Sequence, residues 1–504
     1  MKKILVLLTF FFLCARPAFA QEQSAPPHLV INFAQMNELD WAASESVWQS
    51  EIKPKVIAEI LQMKSSLTPA TQSDSTPVLS WSTLLEYMNF PMDTPSDQSV
   101  YAVKMRRILE IAEELNFPVY VPLNGYQWWD HLPELYNWWD EDGTKTDPNF
   151  FSRQKNPEEF KARFIAAFDP DNVKNVEWQS LRTPMKLGYR NWGGGGFRLA
   201  PPPNLLSPAF QRIQRDRLNV ILAEITTKQT QWEKENKSHL FVGISIGTEI
   251  SLNASITPAD EFKPYGYRGM QDLGCQETPV SCRTQVLQKY LETTSQYVNR
   301  SGISKEKIYT HVYGETDPSD SHYALYAESA FNLYSNPGSS FYGHKDNPLG
   351  SAQWNAMIQK YNYPNWGAIE YSDTPTAAGL TRTLSQASLV DIYNWDSLQN
   401  NTTSKRAIVA ALSTPMTTST YSCQETKKHI QSGLTARLGN ADVTAPERPH
   451  GIYVTFTESD CGRGKKIYST PTVFYVPLPE AEDTTPKWVR WIIEVEKKLR
   501  KSRP

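Results

Sequence analysis

Phe241 to Leu252 reads Phe-Val-Gly-Ile-Ser-Ile-Gly-Thr-Glu-Ile-Ser-Leu, and it constrains the fold more than any other stretch. Val242, Ile244, Ile246 and Thr248 alternate with Gly243, Ser245, Gly247 and Glu249. A period of two predicts a strand. Its branched face suits packing under helices. Its small-residue face, ending in a carboxylate, suits a crowded barrel interior with a functional rim. A buried strand whose last Glu is merely solvated would show the same pattern. Trp366 to Asp373 (Trp-Gly-Ala-Ile-Glu-Tyr-Ser-Asp) repeats the design, an apolar run ending in Glu370. Two carboxylates facing one pocket are the minimal equipment for breaking a glycosidic bond.

Between and around these stretches, strands and helices alternate. The strands are His28 to Ala34, Pro77 to Trp81, Phe117 to Asn124, Phe241 to Leu252, Lys307 to Tyr313, Gly338 to Tyr342, Trp366 to Asp373 and Leu389 to Trp395. Helices are expected from Ser44 or Ser46 to Met63, Ser99 to Asn116, Ser207 to Asn236, Cys282 to Asn299, Ser351 to Tyr361 and Thr403 to Leu412. Eight strands with crossovers predict an α/β chain, a (β/α)8 TIM barrel over residues 21–413. Gly125 to Pro203 is a long aromatic and Gly-rich insertion after strand 3. It carries Trp128, Trp129, Trp138, Trp139, Trp178 and Trp192, then Gly193 to Gly196. Four consecutive glycines argue against helix or strand there, and a long aromatic loop suits the wall of a cleft. Residues 414–504 are expected to form an extension packed on the barrel. It would hold a helix near Gln424 to Leu438, strands near Gly451 to Thr457 and Thr470 to Pro477, and a final amphipathic helix.

Lys2 and Lys3, the apolar run Ile4 to Leu13 and the Ala18-Phe19-Ala20 site predict a signal peptide over residues 1–20. The run is too short to span a bilayer, no lipid anchor is expected at Cys14, and the mature chain is expected to be secreted or periplasmic. Removing Lys2, Lys3 and Arg16 takes the formal charge from -3 to -6, which argues against nucleic acid as a partner. Four cysteines remain. In an oxidising compartment they suggest nearest-neighbour disulfides, Cys275–Cys282 and Cys423–Cys461. Their spacing does not suit zinc, and no metal or cofactor is expected. With 15 Trp and 24 Tyr, aromatic faces are available to stack on sugars, although most of them serve packing.

These motifs together resemble the retaining glycoside hydrolases of clan A. Those are (β/α)8 barrels with an acid/base Glu after the fourth strand and a nucleophile Glu after the seventh. Glu249 and Glu370 occupy those two places, and Tyr393-Asn394-Trp395 looks like the eighth-strand ending where the clan often places a Trp under the sugar. The resemblance spans residues 28–412. It implies an acid/base role for Glu249, a nucleophilic role for Glu370, and Trp395 as a sugar platform. Trp128 and Trp129 are further platform candidates. His311 and Tyr313, on alternate positions of the fifth strand, are candidate partners of the nucleophile, and each could equally be barrel filling. Thr248 departs from the clan, which usually has Asn before the acid/base to contact the sugar 2-hydroxyl; Asn124 or Asn394 could supply that amide. Glu315, Asp373 and Asp130 are rival carboxylates, ranked as structural or substrate-contacting. No Gly-x-Ser-x-Gly elbow supports a serine hydrolase. A catalytically inactive carbohydrate-binding barrel is the alternative to a glycosidase.

Overall fold

The computed structural model describes residues 26–70, 73–88, 95–126, 129–146, 148–152, 154, 156–192, 195–250, 252–254, 263–275, 280–313, 326–341, 352–361 and 365–416, and two strands at 452–455 and 472–475. Eight strands make the barrel: β1 (His28–Asn32), β2 (Val78–Ser82), β3 (Val119–Asn124), β4 (Phe241–Ile250), β5 (Ile308–Val312), β6 (Gly338–Phe341), β7 (Gly367–Tyr371) and β8 (Leu389–Ile392). Each pairs in parallel with the next, and β8 pairs back onto β1, so the sheet closes. The short strand Leu85–Glu86 adds to the end of β3, with Glu86 opposite Asn124.

The crossovers carry α1 (Lys53–Leu67), α2 (Pro95–Glu114), α3 (Pro208–Lys234), α4 (Val280–Arg300), the single turn α5 (Tyr326–Ser329), α6 (Ala352–Tyr361), α7 (Ala377–Leu384) and α8 (Thr402–Leu412). Helix α3 shows why these segments are helical. Ser207 caps it by accepting from the Phe210 N–H at 3.4 Å, and Pro208 supplies the preset first turn. Ile213, Leu218, Ile221, Leu222 and Ile225 then recur at helical spacing and are all buried.

The barrel interior is a separate apolar cluster of Val30, Tyr120, Val242, Tyr309, Ile369 and Leu389, one residue from each of six strands. Tyr120 and Tyr309 meet edge to face there, with centroids 6.2 Å apart. Val242 corrects a sequence expectation, because it points inward while Ile244 and Ile246 join the core under the helices. The reason is a bulge. Val119 pairs with Phe241 but Tyr120 pairs with Gly243, so β4 holds one extra residue and its alternation flips. Gly243 sits at φ +153°, and a Cβ there would lie 2.4 Å from the Lys307 carbonyl oxygen. Only glycine fits that approach.

The insertion after β3 is more regular than its glycines suggest. It holds the helices Pro133–Tyr136, Pro148–Ser152 and Pro157–Ala166 and two hairpins. In one hairpin Gly188–Leu199 folds back on itself, with Gly195 opposite Trp192 and Gly196 opposite Asn191. The expectation that the glycine run excludes strand is therefore overturned at Gly195 and Gly196, because a two-stranded ladder is held by backbone hydrogen bonds that need no side chain; Gly193 and Gly194 lie outside the described residues.

The chain divides into two compact units, 1–419 and 420–504. Within the second, the strands Ile452–Thr455 and Thr472–Tyr475 pair antiparallel. Cys275 and Cys282 are disulfide-bonded. Cys423 and Cys461, residues 1–20, where a signal peptide is expected, and the two C-terminal helices expected from the sequence lie outside the described residues. Among the described residues, no helix is long and apolar enough to cross a membrane.

Candidate active site

Both glutamates singled out by the sequence stand on irregular strand ends. In β4, Ile246 pairs with Thr310 and Ile250 with Val312, so four residues of β4 span two of β5. The surplus lies at Gly247 to Glu249, with Gly247 at φ +101° and Glu249 at φ +49°. A left-handed backbone is costly for a residue with a Cβ, and such costs concentrate where a side chain must be aimed. In β7, Ala368 pairs with Ser339 and Glu370 with Ser340, while Ala368 to Tyr371 spans only Val390 to Ile392 of β8. One extra residue there lets Ile369 fill the interior and still turns Glu370 toward the mouth.

The two bulges bring the carboxylates together. A carboxylate oxygen of Glu249, a ring nitrogen of His311 and a carboxylate oxygen of Glu370 all lie within 4.8 Å of one another. Glu370 is nearly buried and Glu249 partly open. His311, on β5, is buried, and burial pushes its ring down to about 3. It is therefore neutral at physiological pH, and its 3.5 Å approach to Glu370 Oε2 is that of a dipole, not an ion pair. The hydrogen bonds choose the tautomer. Ser340 Oγ donates to Glu249 Oε1 at 2.9 Å, so it must accept from His311 Nε2–H at 2.8 Å. His311 Nδ1, buried without a partner, is then a bare acceptor, cheaper to leave unmet than an N–H. His311 and Ser340 thus form a neutral bridge running between the two carboxylates.

Tyr393 closes the site from the end of β8. It is 40% exposed, the one large aromatic among the described residues that is both this open and at the mouth. Burial of its hydroxyl end, then the charges of Glu370, Glu249, Glu86 and Asp391, push its phenol well above the ordinary range, so it stays a hydrogen-bond donor. Below it, Asp391 is buried and accepts from Ser82 Oγ at 3.2 and 3.3 Å; burial raises its carboxyl to about 7.

Other predicted residues fall elsewhere. Trp395 is 1% exposed and packs near Phe33, so it is no platform for a ligand. The strand ends at Ile392, and Asn394 caps a helical turn by accepting from the Ser397 N–H, which swings Trp395 into the core. Trp129 is also buried, donating to the Pro201 carbonyl and packing on Tyr136 and Phe210, which corrects its expected role. Trp128 and Glu315 lie outside the described residues. Asn124 ends β3, buried, its Oδ1 accepting from the Tyr126 N–H at 3.3 Å. Tyr313 is half-buried just past β5, its N–H donating to the Ile250 carbonyl. Asp130 is buried and accepts from the Ala200 N–H at 2.8 Å, a structural use. Asp373 is half-exposed past β7.

Sequence reading missed Ser340, Tyr393 and Glu86. Tyr393 had a signal: Leu389, Asp391 and Tyr393 continue one alternation, and the first two prove to face inward. Ser340 had none, since a serine in a short strand reads as filler.

No protein-family model and no curated protein matches this chain. Among solved structures it is similar to GH5_18 from Streptomyces cattleya in complex with GlcNAc, at 12% identity over 77% of this chain and 80% of that one, with a TM-score of 0.39. A variant of the same protein in complex with Manβ1-4GlcNAc gives 12% identity, 73% and 71% coverage, and a TM-score of 0.37. The GH26-CBM35 β-(1,4)-mannanase of Podospora anserina gives 8% identity, 78% and 62% coverage, and a TM-score of 0.34.

Proposed function

We propose that this chain is a retaining glycoside hydrolase that acts outside the cytoplasm on an oligo- or polysaccharide. The observation that carries the reading is the approach of Glu249 and Glu370, within 4.8 Å oxygen to oxygen, at the mouth of a closed parallel barrel. Inverting enzymes need roughly 6.5 to 9.5 Å between carboxyl groups to seat a water, whereas retaining ones hold them roughly 5 to 5.5 Å apart. Glu370 attacks the anomeric carbon, and Glu249 protonates the departing oxygen and later takes the proton of the incoming water. Tyr393 offers the sugar an aromatic face and a hydroxyl donor, and Asn124, at the end of β3, is the candidate for the 2-hydroxyl contact, since Asn394 is engaged as a helix cap. Proton NMR of freshly formed product is expected to show the anomer of the substrate; the opposite anomer would exclude the double displacement.

Glu249, His311 and Glu370 also form a donor set that could hold a divalent metal. The nitrogen facing the carboxylates already serves Ser340, which favours the metal-free reading. Trapping with a fluorosugar separates the two: a glycosyl adduct on Glu370 requires a free nucleophile. Failure to hydrolyse or trap any glycoside while still binding sugars would support the inactive carbohydrate-binding barrel instead.

Ser340 is expected to act through Glu249. Ser340→Ala removes a hydrogen bond to a carboxylate, worth about 1.5 to 3 kcal/mol, so kcat should fall about 10- to 100-fold with little change in KM. Ser340→Thr keeps the hydroxyl and should recover most of the loss. Equal losses from both variants would assign Ser340 to packing alone.

A further inference from the structure

Residues 138–146 read Trp-Trp-Asp-Glu-Asp-Gly-Thr-Lys-Thr, in the insertion that follows β3. Oxygen-bearing side chains alternate along this loop at Asp140, Asp142, Thr144 and Thr146. Asp140 is fully buried. Its backbone is pinned by Asn137, whose Nδ2 donates to the Asp140 carbonyl at 3.1 Å and to the Phe164 carbonyl at 2.6 Å. Its Oδ2 accepts from Thr146 Oγ1. Its Oδ1 is buried and accepts from no N–H or hydroxyl donor. A buried carboxylate oxygen left unmet costs free energy unless a proton or a cation answers it.

What lies beside that carboxyl is a second one. The Asp142 side chain is in hydrogen-bond contact with Asp140, and its Oδ1 also accepts from the Thr144 N–H at 2.9 Å and Thr144 Oγ1 at 2.7 Å. Gly143, at φ +70°, lets the chain curl between Asp142 and Thr144, both of which stay open to solvent. Two abutting carboxylates cannot both stay charged without compensation. The nearby lysines are committed or remote: Lys186 lies over the Trp138 and Trp139 rings, Lys161 lies over Phe151, and Lys145 reaches Asp142 only through its field.

We propose that the 140–146 loop binds a hard divalent cation, calcium, through the Asp140 and Asp142 carboxylates and the Thr144 and Thr146 hydroxyls, with water completing the shell. The donor set is oxygen only, which suits calcium and not the soft or nitrogen-seeking metals. Calcium accepts six to eight ligands in loose geometry, which a loop of mixed carboxylates and hydroxyls can satisfy, whereas magnesium demands a near-ideal octahedron. Glycine stands fourth in the loop and not sixth, so this is not the helix–loop–helix calcium motif. The site needs no glycosidase activity; its effect would be to stiffen the loop that carries Trp138 and Trp139.

The full-length processed protein supplies its own reporter, because Trp138 and Trp139 adjoin the loop and can sensitise bound terbium. Exciting tryptophan should give saturable terbium emission that calcium displaces with an affinity of about 10⁻⁵ to 10⁻³ M. Magnesium should compete at least about ten-fold less well. Asp142→Asn and Asp140→Asn should each weaken terbium and calcium binding at least about ten-fold, the loss expected when one carboxylate ligand becomes neutral. Calcium should also raise the Tm of the wild type and not that of Asp142→Asn. Asp142 is exposed, so its variant folds even where Asp140→Asn does not. Absence of saturable emission, or emission unaltered in Asp142→Asn, would mean that the two carboxyls share a proton and the loop binds nothing. Emission lost instead in Glu249→Gln would place the cation at the barrel mouth and overturn the assignment.

Discussion

Glu370→Ala is expected to abolish turnover of every glycoside, however good its leaving group. Without a carboxylate at the end of β7 there is no atom to form the glycosyl intermediate, and His311, buried and with Nε2 committed to Ser340, does not take its place. Loss of an active-site nucleophile costs on the order of 10⁶-fold in kcat. The empty space should admit a small anion. Azide entering there attacks the anomeric carbon from the nucleophile's side, in one displacement, so the glycosyl azide should carry the inverted configuration. Steady-state rates on an aryl glycoside with and without azide, with NMR of the product, measure both effects. Ordinary hydrolysis by Glu370→Ala would remove Glu370 from the mechanism.

The fold behind this site was legible because its signals are local. Each barrel strand is a short apolar or alternating run between helical stretches, and all eight sit where the sequence places them, within a few residues. Glu249 and Glu370 were legible for the same reason, as polar ends of such runs. What the sequence does not carry is register. Whether β4 holds one surplus residue against β3 and two against β5 depends on neighbours far away in the chain, yet those surpluses turn Val242 inward and aim Glu249. Trp395 shows the complementary limit. Alternation from Leu389 carries it to the inner face, but Asn394 caps a helical turn and ends the strand first, so Tyr393 takes the open position. Capping residues inside an apparent strand outrank its alternation. The Ser340–His311 bridge is less legible still, since it joins β4, β5 and β6 through one hydroxyl.

Glu249→Ala should fail in a different and more selective way. The nucleophile remains, so a glycoside whose leaving group is an acidic phenol needs no proton to depart and should still form the intermediate at near the wild-type rate. A sugar leaving group is a poor one without protonation, and its glycosylation should slow by about 10²- to 10⁴-fold, the usual worth of a positioned general acid. The intermediate should then accumulate on the phenol substrate, because no base activates water: a burst of phenol equal to the enzyme present, followed by slow turnover. Azide needs no base, and in the space vacated by Glu249 it should relieve the block by attacking the intermediate. Two displacements have then occurred, so this glycosyl azide should retain the substrate configuration, opposite to that from Glu370→Ala. Ser340, left without the carboxylate it holds at 2.9 Å, should no longer matter, and Ser340→Ala should add little to Glu249→Ala. Swapped anomers would exchange the roles of the two glutamates. A loss equal for phenol and sugar leaving groups would show that Glu249 positions the substrate and donates no proton.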